Sequence, residues 1–274
     1  MRSAQNNTAV PFTKMSGTGN DFIVINNMQG RFALDWSAFA ARYCPRRTAV
    51  GADGVLILEP SNEADFNYRI FNADGSEAEM CGNGARCAAL FAFHEKIAGD
   101  QMRFKTLAGI IQARVNADDV SIRLTEPTGL KKDIRLEIGD DLHLVHFINS
   151  GVPHTIVFTD SLSTMPVEEL GRTIRMHEYF SPAGTNVDFV QVSQAGHINV
   201  RTYERGVEAE TLACGTGAVA SAIISTYVKN VPPPVHVTMP GGELKIDFTL
   251  NHERVTDVWL SGAVVTVYTG TLIL

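Results

Sequence analysis

The spacing of apolar residues along the chain predicts a protein built mostly from β-strands. Five segments alternate apolar and polar residues with the two-residue period of a half-buried strand, and β-branched or aromatic side chains are common in them. These segments are Phe66–Asn72, Val120–Thr125, His197–Glu204, Val235–Met239 and Leu244–Leu250. Helical spacing is less frequent. It predicts one surface helix that follows Asp35, a suitable N-cap residue, and another over Val167–Arg175.

Two further predicted helices are apolar on nearly all sides. They cover Gly84–Gly99 and Gly217–Asn230. A helix without a polar face is surrounded by other parts of the protein rather than laid on its surface. Each of these helices is therefore predicted to lie at the centre of a set of strands.

Each apolar helix is preceded by a copy of the same short motif. The copy GSEAEMCGNGA begins at Gly75 and the copy GVEAETLACGTGA begins at Gly206. Both contain Gly-x-Glu-Ala-Glu, a short spacer and then Cys-Gly-x-Gly-Ala. The two cysteines, Cys81 and Cys214, are separated by about half the chain, which indicates a duplicated unit present in two copies.

These patterns predict an α+β fold with two pseudo-symmetric domains. Each domain is expected to be a mostly antiparallel, barrel-like sheet wrapped around its central buried helix, with the active site in the cleft between the domains. A segment with proline, glycine and charged residues, Thr125–Asp133, is the predicted junction. The N-terminal half is then 1–125 and the C-terminal half 126–263, with a last strand, 264–274, packing back onto the first half.

Composition and charge narrow the class of protein. Hydrophobic residues make up 45% of the 274 residues, enough to fill a core. The formal net charge of −7 argues against a nucleic-acid partner or an anionic membrane surface, both of which select basic proteins. No apolar segment has the length of a membrane span, and the first ten residues lack the apolar run of a signal peptide. A cytoplasmic protein is expected.

The four cysteines do not have the spacing of a zinc site or of a disulfide framework. No metal is therefore expected. Cys44 and Cys87 are interpreted as small, inert core residues. Cys81 and Cys214 are different because each begins a Cys-Gly-x-Gly loop that leads directly into a predicted buried helix.

The repeated cysteines suggest acid–base chemistry. The first N–H groups of a helix and its positive dipole end favour a bound carboxylate, and they also stabilise a thiolate. If the two helix starts face one cleft, two neighbouring thiols share one proton, so that one sulfur is a base and the other an acid. This equipment suits racemisation or epimerisation at a carbon next to a carboxylate. No pyridoxal or dinucleotide motif is present, so no cofactor is expected.

Four segments resemble the diaminopimelate epimerase family, and the resemblance extends over nearly the whole chain from Phe12. They are GTGNDFIVI, FNADGSEAEMCGNGARC, YERGVEAETLACGTGA and LSGAVVTVYTG. The resemblance implies a cofactor-independent enzyme that interconverts LL- and meso-diaminopimelate in lysine and peptidoglycan precursor synthesis. It also implies two pseudo-symmetric domains, a cytoplasmic homodimer and a small amino-acid substrate.

The resemblance also assigns roles to individual residues. Cys81 and Cys214 are implied to be the acid–base pair, and His154 and Glu204 to orient or prime the thiols. The implied substrate-binding residues are Asn20, Asn72, Gly82, Asn83, Asn186, Glu204, Arg205, Gly215 and Thr216. Arg205 suits the distal carboxylate of the substrate.

Several of these residues have structural interpretations that stay open from the sequence alone. Asn20 and Asn72 suit turns, in which asparagine commonly bonds its own backbone. His154 suits a semi-buried structural position, and Glu204 with Arg205 suits a weak surface ion pair.

Two positions depart from the family pattern. Val152 stands where many members have asparagine in a Gly-Asn-Pro-His turn, and Gly54 stands where some have glutamine. Both departures concern the distal end of the substrate and leave the thiols untouched, so a relaxed or shifted substrate range is one consequence to test.

The sequence is also compatible with two other functions. One is a related two-cysteine racemase acting on proline, hydroxyproline, histidine or another amino acid. The phenazine isomerase with the same fold lacks the paired thiols, so Cys81 and Cys214 argue against that enzyme. The other is a non-catalytic amino-acid-binding protein, which would not need a cysteine in both copies.

Overall fold

The computed structural model describes residues 8–251 and 254–274 as two compact units. One unit comprises the described residues up to Ile122 together with Ala263–Leu274, and the other comprises those of Arg123–Gly262. Residues 1–7, part of the predicted N-terminal half, and residues 252–253 lie outside the described residues.

The first unit contains eight strands and two helices. The strands are β1 (Ala9–Gly17), β2 (Asn20–Asn26), β3 (Gly54–Glu59), β4 (Phe66–Asn72), β5 (Glu77–Ala78), β6 (Gln101–Thr106), β7 (Gly109–Asn116) and β8 (Asp119–Arg123), which ends at the unit boundary. The helices are α1 (Trp36–Tyr43) and α2 (Gly82–His94).

The second unit also contains eight strands and two α-helices. The strands are β9 (Thr128–Ile138), β10 (Asp141–Asn149), β11 (Pro153–Phe158), β12 (Asn186–Gln194), β13 (His197–Glu204), β14 (Ala209–Thr211), β15 (Val235–Met239) and β16 (Gly242–Asn251). The helices are α3 (Val167–Met176) and α4 (Gly215–Lys229), with short 3₁₀ turns at Leu162–Thr164 and Glu178–Phe180.

The long last strand, β17 (Arg254–Ile273), belongs to the second unit at its start and to the first at its end. Its beginning pairs with β16, from Arg254 opposite Asn251 to Ser261 opposite Lys245. Its remainder pairs antiparallel with β1, from Val264 opposite Gly17.

The two units have the same order of strand pairings, which is the structural form of the repeat in the sequence. In the first unit, β1–β2, β3–β4, β4–β5 and β6–β7 pair antiparallel, while β2–β3 and β4–β6 pair parallel. In the second unit, β10–β11, β12–β13, β13–β14 and β15–β16 pair antiparallel, while β11–β12 and β13–β15 pair parallel. The parallel pairs are joined through helices, α1 and α2 in one unit and α3 and α4 in the other, as parallel crossovers require.

The second helix of each unit is its core. In α2, every residue of 83–92 is buried, and the helix packs against β1, β2, β3, β4 and β7. In α4, every residue of 217–225 is buried, and the helix packs against β10, β11, β12, β13, β15 and β16. The prediction of two central buried helices, each surrounded by a mostly antiparallel sheet, is confirmed.

The predicted strands agree closely with the observed ones, but both buried helices begin earlier than predicted. They begin at Gly82 and Gly215, directly after the cysteines, because each cysteine has an extended backbone that forms the N-cap. The Cys-Gly-x-Gly segments, predicted as loops, therefore form the N-cap and the first turn of each helix. α2 also ends at His94 rather than Gly99, since Lys96 adopts a φ of 57° that no α-helix continues.

The surface helices were also located correctly. Asp35 caps α1 by accepting the Ala38 N–H at 3.1 Å, and α3 ends one residue beyond its predicted end. Among the helices of residues 8–251 and 254–274, none combines the length and the apolar character needed to cross a bilayer.

Candidate active site

The first unit presents Cys81 at the N-terminus of α2. The backbone of Cys81 is extended (φ −136°, ψ 123°), and its side chain does not cap the helix. Gly82, Asn83 and Gly84 follow as the first turn, whose N–H groups have no partners within the helix. The arrangement therefore puts a half-buried thiol beside the positive end of a helix that the sheet encloses.

A chain of hydrogen bonds runs from this first turn to the edge of β2. The Asn83 amide donates to Asn20 Oδ1 at 2.7 Å, and the Asn20 amide donates to Asp53 Oδ2 at 2.9 Å. Asn83 Oδ1 accepts from Arg86 Nη2 at 2.9 Å. A donor-only guanidinium at one end and a carboxylate at the other thus fix the orientation of both amides.

Asp53 is itself held by charged neighbours. It accepts the backbone N–H of Asp21 at 3.1 Å and a guanidinium N–H of Arg46 at 2.8 Å. Arg46 also bonds Asp21, which is paired with the buried amine of Lys14. This network anchors the start of β2, where Asn20 lies.

Asn72 lies apart from that chain. It ends β4, is exposed, and its amide donates to Ser76 Oγ at 3.0 Å. Its partner across the ladder is Gly54. A Cβ at Gly54 would lie 2.6 Å from the carbonyl oxygen of Phe71, so this backbone accepts only glycine there.

The second unit presents Cys214 in the same way at the N-terminus of α4. Its backbone is extended (φ −128°, ψ 108°), its side chain does not cap the helix, and it is buried. Gly215, Thr216 and Gly217 form the first turn. Ser150 secures this turn by donating to the carbonyl of Thr216 at 2.8 Å.

A buried carboxylate and histidine stand behind Cys214. Asp188 Oδ2 lies 2.6 Å from His154 Nδ1, His154 Nε2 lies 2.9 Å from Thr216 Oγ1, and Thr216 Oγ1 lies 3.4 Å from Cys214 Sγ. Thr202 donates to the other Asp188 oxygen at 2.7 Å. The contacts therefore connect a fully buried carboxylate to the sulfur through one imidazole and one hydroxyl.

His154 is cationic in this setting. Burial alone would lower its pKa, but the charge and hydrogen bond of Asp188, with a smaller contribution from Cys214, outweigh burial and raise the pKa to about 10. A protonated imidazole donates from both nitrogens, so Nε2–H points to Thr216 and the Thr216 hydroxyl is left to donate to the sulfur.

The contacts from Asp188 through His154 and Thr216 to Cys214 form a hydrogen-bond relay. Other residues of the second unit that are implied to bind substrate lie around this relay. Asn186 is directly opposite His154 in the parallel β11–β12 ladder, and its Oδ1 accepts the Arg205 backbone N–H at 2.8 Å. Arg205 donates to the carbonyl of Ala183 at 2.9 Å. Burial raises the pKa of Glu204, which ends β13. No ion pair between Glu204 and Arg205 is found among the described residues.

Val152 lies in the turn before β11, half-buried, and its carbonyl accepts the N–H of Ser150 at 3.2 Å. The turn is also closed by Asn149, whose Oδ1 accepts the N–H of Gly151 at 3.0 Å. The departure from asparagine at this position thus leaves the turn bonded while it removes one side-chain amide close to His154.

The other two cysteines are core residues. Burial raises the pKa of Cys44 to about 11 and that of Cys87 to about 12, so both are neutral thiols at physiological pH. In the described part of the chain, no group of three or more His, Cys, Asp and Glu side chains is arranged to hold a metal ion.

Sequence reasoning missed three residues that the structure adds to the site: Asp188, Arg86 and Asp53. Asp188 and Arg86 had a signal, since each is the one Asp, Glu, Lys or Arg residue of its element, β12 and α2. Such a charge is retained inside a protein only with specific partners. Asp53 lies in a loop and had no comparable signal.

The chain matches the family model described as diaminopimelate epimerase over residues 12–129 and 146–271. It is 46% identical over 275 residues to the diaminopimelate epimerase of Aquifex aeolicus, an alignment covering 95% of this chain and 97% of that relative.

Solved structures share the fold at low identity. A phenazine biosynthesis protein of the PhzF family from Bacillus anthracis has a TM-score of 0.75 and 16% identity, over 97% of this chain and all of that one. A hydroxyproline epimerase from Agrobacterium vitis has a TM-score of 0.68 and 15% identity, over 100% and 94% of the two chains. These structures support the fold, while the sequence match to the family model covers both repeats. The chain belongs to the diaminopimelate epimerase family.

Proposed function

We propose that this protein is an epimerase that interconverts LL- and meso-2,6-diaminopimelate without a cofactor. The observation that carries the proposal is an arrangement present in both units. In each, a cysteine is the N-cap residue of a buried helix without a side-chain capping hydrogen bond, and a buried cation is bonded to the first turn. Family membership supplies the substrate.

In the proposed reaction, the α-carboxylate of the substrate is held by the N–H groups of the two first turns, Gly82–Asn83 and Gly215–Thr216. One cysteine is a thiolate and the other a thiol. The thiolate removes the α-proton, so that a C–H bond breaks and an S–H bond forms. The thiol then returns a proton to the opposite face of the carbon. The two sulfurs exchange protonation states in each turnover.

Proton transfer to sulfur does not by itself explain the rate, because a thiolate is a weak base for an α-proton. The developing negative charge must be met by dipoles that are already oriented. The two helix starts and the amides of Asn83 and Asn20 are oriented in this way by the hydrogen bonds described above.

In the second unit, the hydrogen bonds that lead from Asp188 through His154 and Thr216 to Cys214 stabilise its thiolate form. His154, held cationic by Asp188, donates to Thr216, whose hydroxyl proton then points to the sulfur. Glu204, close enough to interact with His154, adds to the charge balance behind this thiol.

The distal end of the substrate carries a second carboxylate and amine. Arg205, half-buried and bonded to the main chain of Ala183, is proposed to bind that carboxylate. Asn72 and Asn186 are proposed to bind the distal polar groups. Val152 has no side-chain amide, so we propose that one of the distal polar groups of the substrate binds a water molecule in place of such an amide. A racemase for a singly charged amino acid would have no use for Arg205 in this role.

We also propose the cellular location and the oligomeric state of the enzyme. The formal charge of −7 and the biosynthetic role of the family favour a cytoplasmic enzyme of lysine and peptidoglycan precursor synthesis, and we propose that it acts as a homodimer. Sedimentation of the purified protein tests the oligomeric state.

Solvent exchange tests the reaction directly. Reduced, folded protein is incubated with LL-diaminopimelate in deuterated water, and deuterium at Cα is measured by NMR and mass spectrometry. We expect incorporation together with conversion to the meso isomer. Proline, hydroxyproline and histidine serve as comparison substrates. Exchange with one of these but not with diaminopimelate would establish the alternative racemase, and no exchange with any of them would refute the proposal.

A further inference from the structure

Arg86 is the largest fully buried side chain among the residues that the structure describes. Its guanidinium is not within ion-pair distance of any carboxylate among residues 8–251 and 254–274, and its Nε has no hydrogen-bond partner there. Burying a cation without an adjacent counter-ion costs several kcal/mol, roughly. A side chain that brings such a cost without a compensating pair suggests a role beyond packing.

The position of the guanidinium on the helix adds to the cost. From its place in the second turn of α2, the side chain folds back over the first turn, where Nη1 lies 3.4 Å from the carbonyl of Gly82. Nη2 donates to Asn83 Oδ1 at 2.9 Å and to Thr18 Oγ1 at 2.7 Å. A cation near a helix N-terminus opposes the dipole. It also strengthens the positive potential at Cys81, with which it interacts electrostatically.

The two copies of the motif differ at this point in an informative way. Arg86 is the fifth residue after Cys81, and the fifth residue after Cys214 is Val219, a buried apolar residue of α4. In the second unit the cation comes instead from His154 on β11. Each cation bonds the side chain two residues after its cysteine: Arg86 bonds Asn83, and His154 bonds Thr216.

Building on the proposed function, we propose that Arg86 is the positioning residue of the first unit, the counterpart of His154 in the second. Its charge stabilises the thiolate of Cys81. Its Nη2, which donates to Asn83 Oδ1, fixes Asn83, and through Asn83 also Asn20, in the orientation that binds substrate. Arg86 is fully buried, so it acts through these residues and does not touch the substrate.

Other ionisable groups that interact with Arg86 or Cys81 do not take over this role. Cys87 is held neutral by burial. Asp119, on β8, has an electrostatic interaction with Arg86, but the two form no ion pair among the described residues. The buried Tyr68, from β4, stays neutral because burial raises its pKa well above the usual value. Cys81 is therefore the sulfur that can carry negative charge near Arg86.

The test measures thiol reactivity, so that it does not depend on the epimerase reaction. Two parent proteins each keep one sulfur of the pair: Cys214→Ala reports on Cys81, and Cys81→Ala reports on Cys214. Into each we introduce Arg86→Gln, which keeps a donor but removes the charge, and separately Arg86→Lys, which keeps the charge. Carbamidomethylation by iodoacetamide at pH 7 is followed by mass spectrometry of the two cysteine peptides.

We expect Arg86→Gln to slow alkylation of Cys81 by about tenfold, the effect of losing one buried charge nearby. Alkylation of Cys214 should stay within about twofold, since that sulfur depends on His154. Arg86→Lys should keep Cys81 within about threefold of the parent rate. In the protein with both thiols, Arg86→Lys should raise KM more than it lowers kcat, because lysine lacks the fork that orients Asn83.

Two results would overturn the inference. One is a Cys81 rate that Arg86→Gln leaves unchanged. The other is an equal loss in the Gln and Lys variants, which would make the role purely structural. If Arg86→Gln does not fold by circular dichroism, the Cys214→Ala parent still decides: Cys81 alkylation that rises tenfold per pH unit from pH 6 to pH 8, as for an ordinary thiol, refutes the role. Failure of the proposed epimerase reaction would appear separately, in the solvent-exchange assay.

Discussion

The imidazole of His154 and the carboxylate of Asp188 form a fully buried pair, with Nδ1 and Oδ2 2.6 Å apart. The pair lies on adjacent parallel strands, β11 and β12, directly beneath the first turn of α4. Its orientation leaves Nε2 facing Thr216, the residue in contact with the Cys214 sulfur. Asp188 therefore determines which nitrogen of His154 faces the site and what charge the ring carries.

Replacing Asp188 by asparagine tests this dependence. The amide side chain would keep the shape but lose the charge that holds His154 cationic, so the Thr216 hydroxyl would no longer be directed to Cys214. We expect kcat to fall roughly a hundredfold, within the range that acid–base groups contribute. The measurement is the epimerase rate with LL-diaminopimelate. Asp160→Asn, at an exposed position of the same unit, is the matched control and should keep the parent rate.

The same pair makes a prediction about stability. The pKa of His154 is raised from 6.5 to about 10 in the folded protein. The protonated state is thus favoured by folding, so its stabilising contribution is complete below pH 6.5 and is lost as the pH rises toward 10. We expect the difference in unfolding free energy between the parent and His154→Gln to shrink steadily from pH 6.5 to pH 10, measured by urea denaturation.

The pH dependence of this stability difference can also contradict the raised pKa of His154. A difference that is constant over that pH range would mean that His154 does not change its protonation between the folded and unfolded states. NMR of the His154 imidazole protons measures the pKa of this residue in the folded protein independently. In Asp188→Asn the titration should move back toward the ordinary pH range of histidine.

Much of the fold could be predicted from the sequence because burial and periodicity are local signals. Phe66–Asn72, His197–Glu204 and Val235–Met239 show the two-residue period, and the observed strands have the same bounds. The buried helices were identified by their lack of a polar face. Their first residues were not, because a cysteine as N-cap has no compositional signature and the glycines after it suggested a loop.

The candidate site was predicted only where the motif was repeated or the family resemblance assigned a residue. Partners of those residues depend on tertiary contacts that one sequence does not contain. Asp188 is 34 residues from His154, and Asn20 is 63 residues from Asn83. Their pairing results from the register of β11 with β12 and from the packing of α2 near β2. A single charge inside an element that has no other charged residue is the local signal that would have identified Asp188 and Arg86.

Gly217 shows how closely α4 approaches the buried pair. A Cβ at this position would lie 2.4 Å from Asp188 Oδ1, closer than any side chain allows. We expect Gly217→Ala to displace Asp188 from His154, lower the epimerase rate as Asp188→Asn does, and cost about 1–3 kcal/mol of stability. Gly99→Ala, where the nearest atom would be 3.9 Å away, is the control and should change neither quantity. A fully active, stable Gly217→Ala variant would show that the close approach is not needed.

The two-thiol proposal predicts a specific response to cysteine replacement. Cys81→Ala and Cys214→Ala should each lower epimerisation on the order of a thousandfold or more, since each removes one of two groups that the reaction needs in turn. Both variants should still fold. Cys44→Ala removes a buried, neutral thiol from the first unit and should retain most of the activity. Substantial turnover by either Cys81→Ala or Cys214→Ala would refute the mechanism.

The two-thiol proposal also predicts that activity is sensitive to oxidation. If Cys81 and Cys214 meet at one substrate carbon, air or a mild oxidant should join them as a disulfide, because a thiolate next to a thiol is readily oxidised. We expect activity to decline in air and to return with dithiothreitol, and the oxidised protein to contain a peptide that links the two cysteines. Bound diaminopimelate should slow the loss by separating the sulfurs. Inactivation that dithiothreitol does not reverse, without the linked peptide, would argue against two thiols in one site.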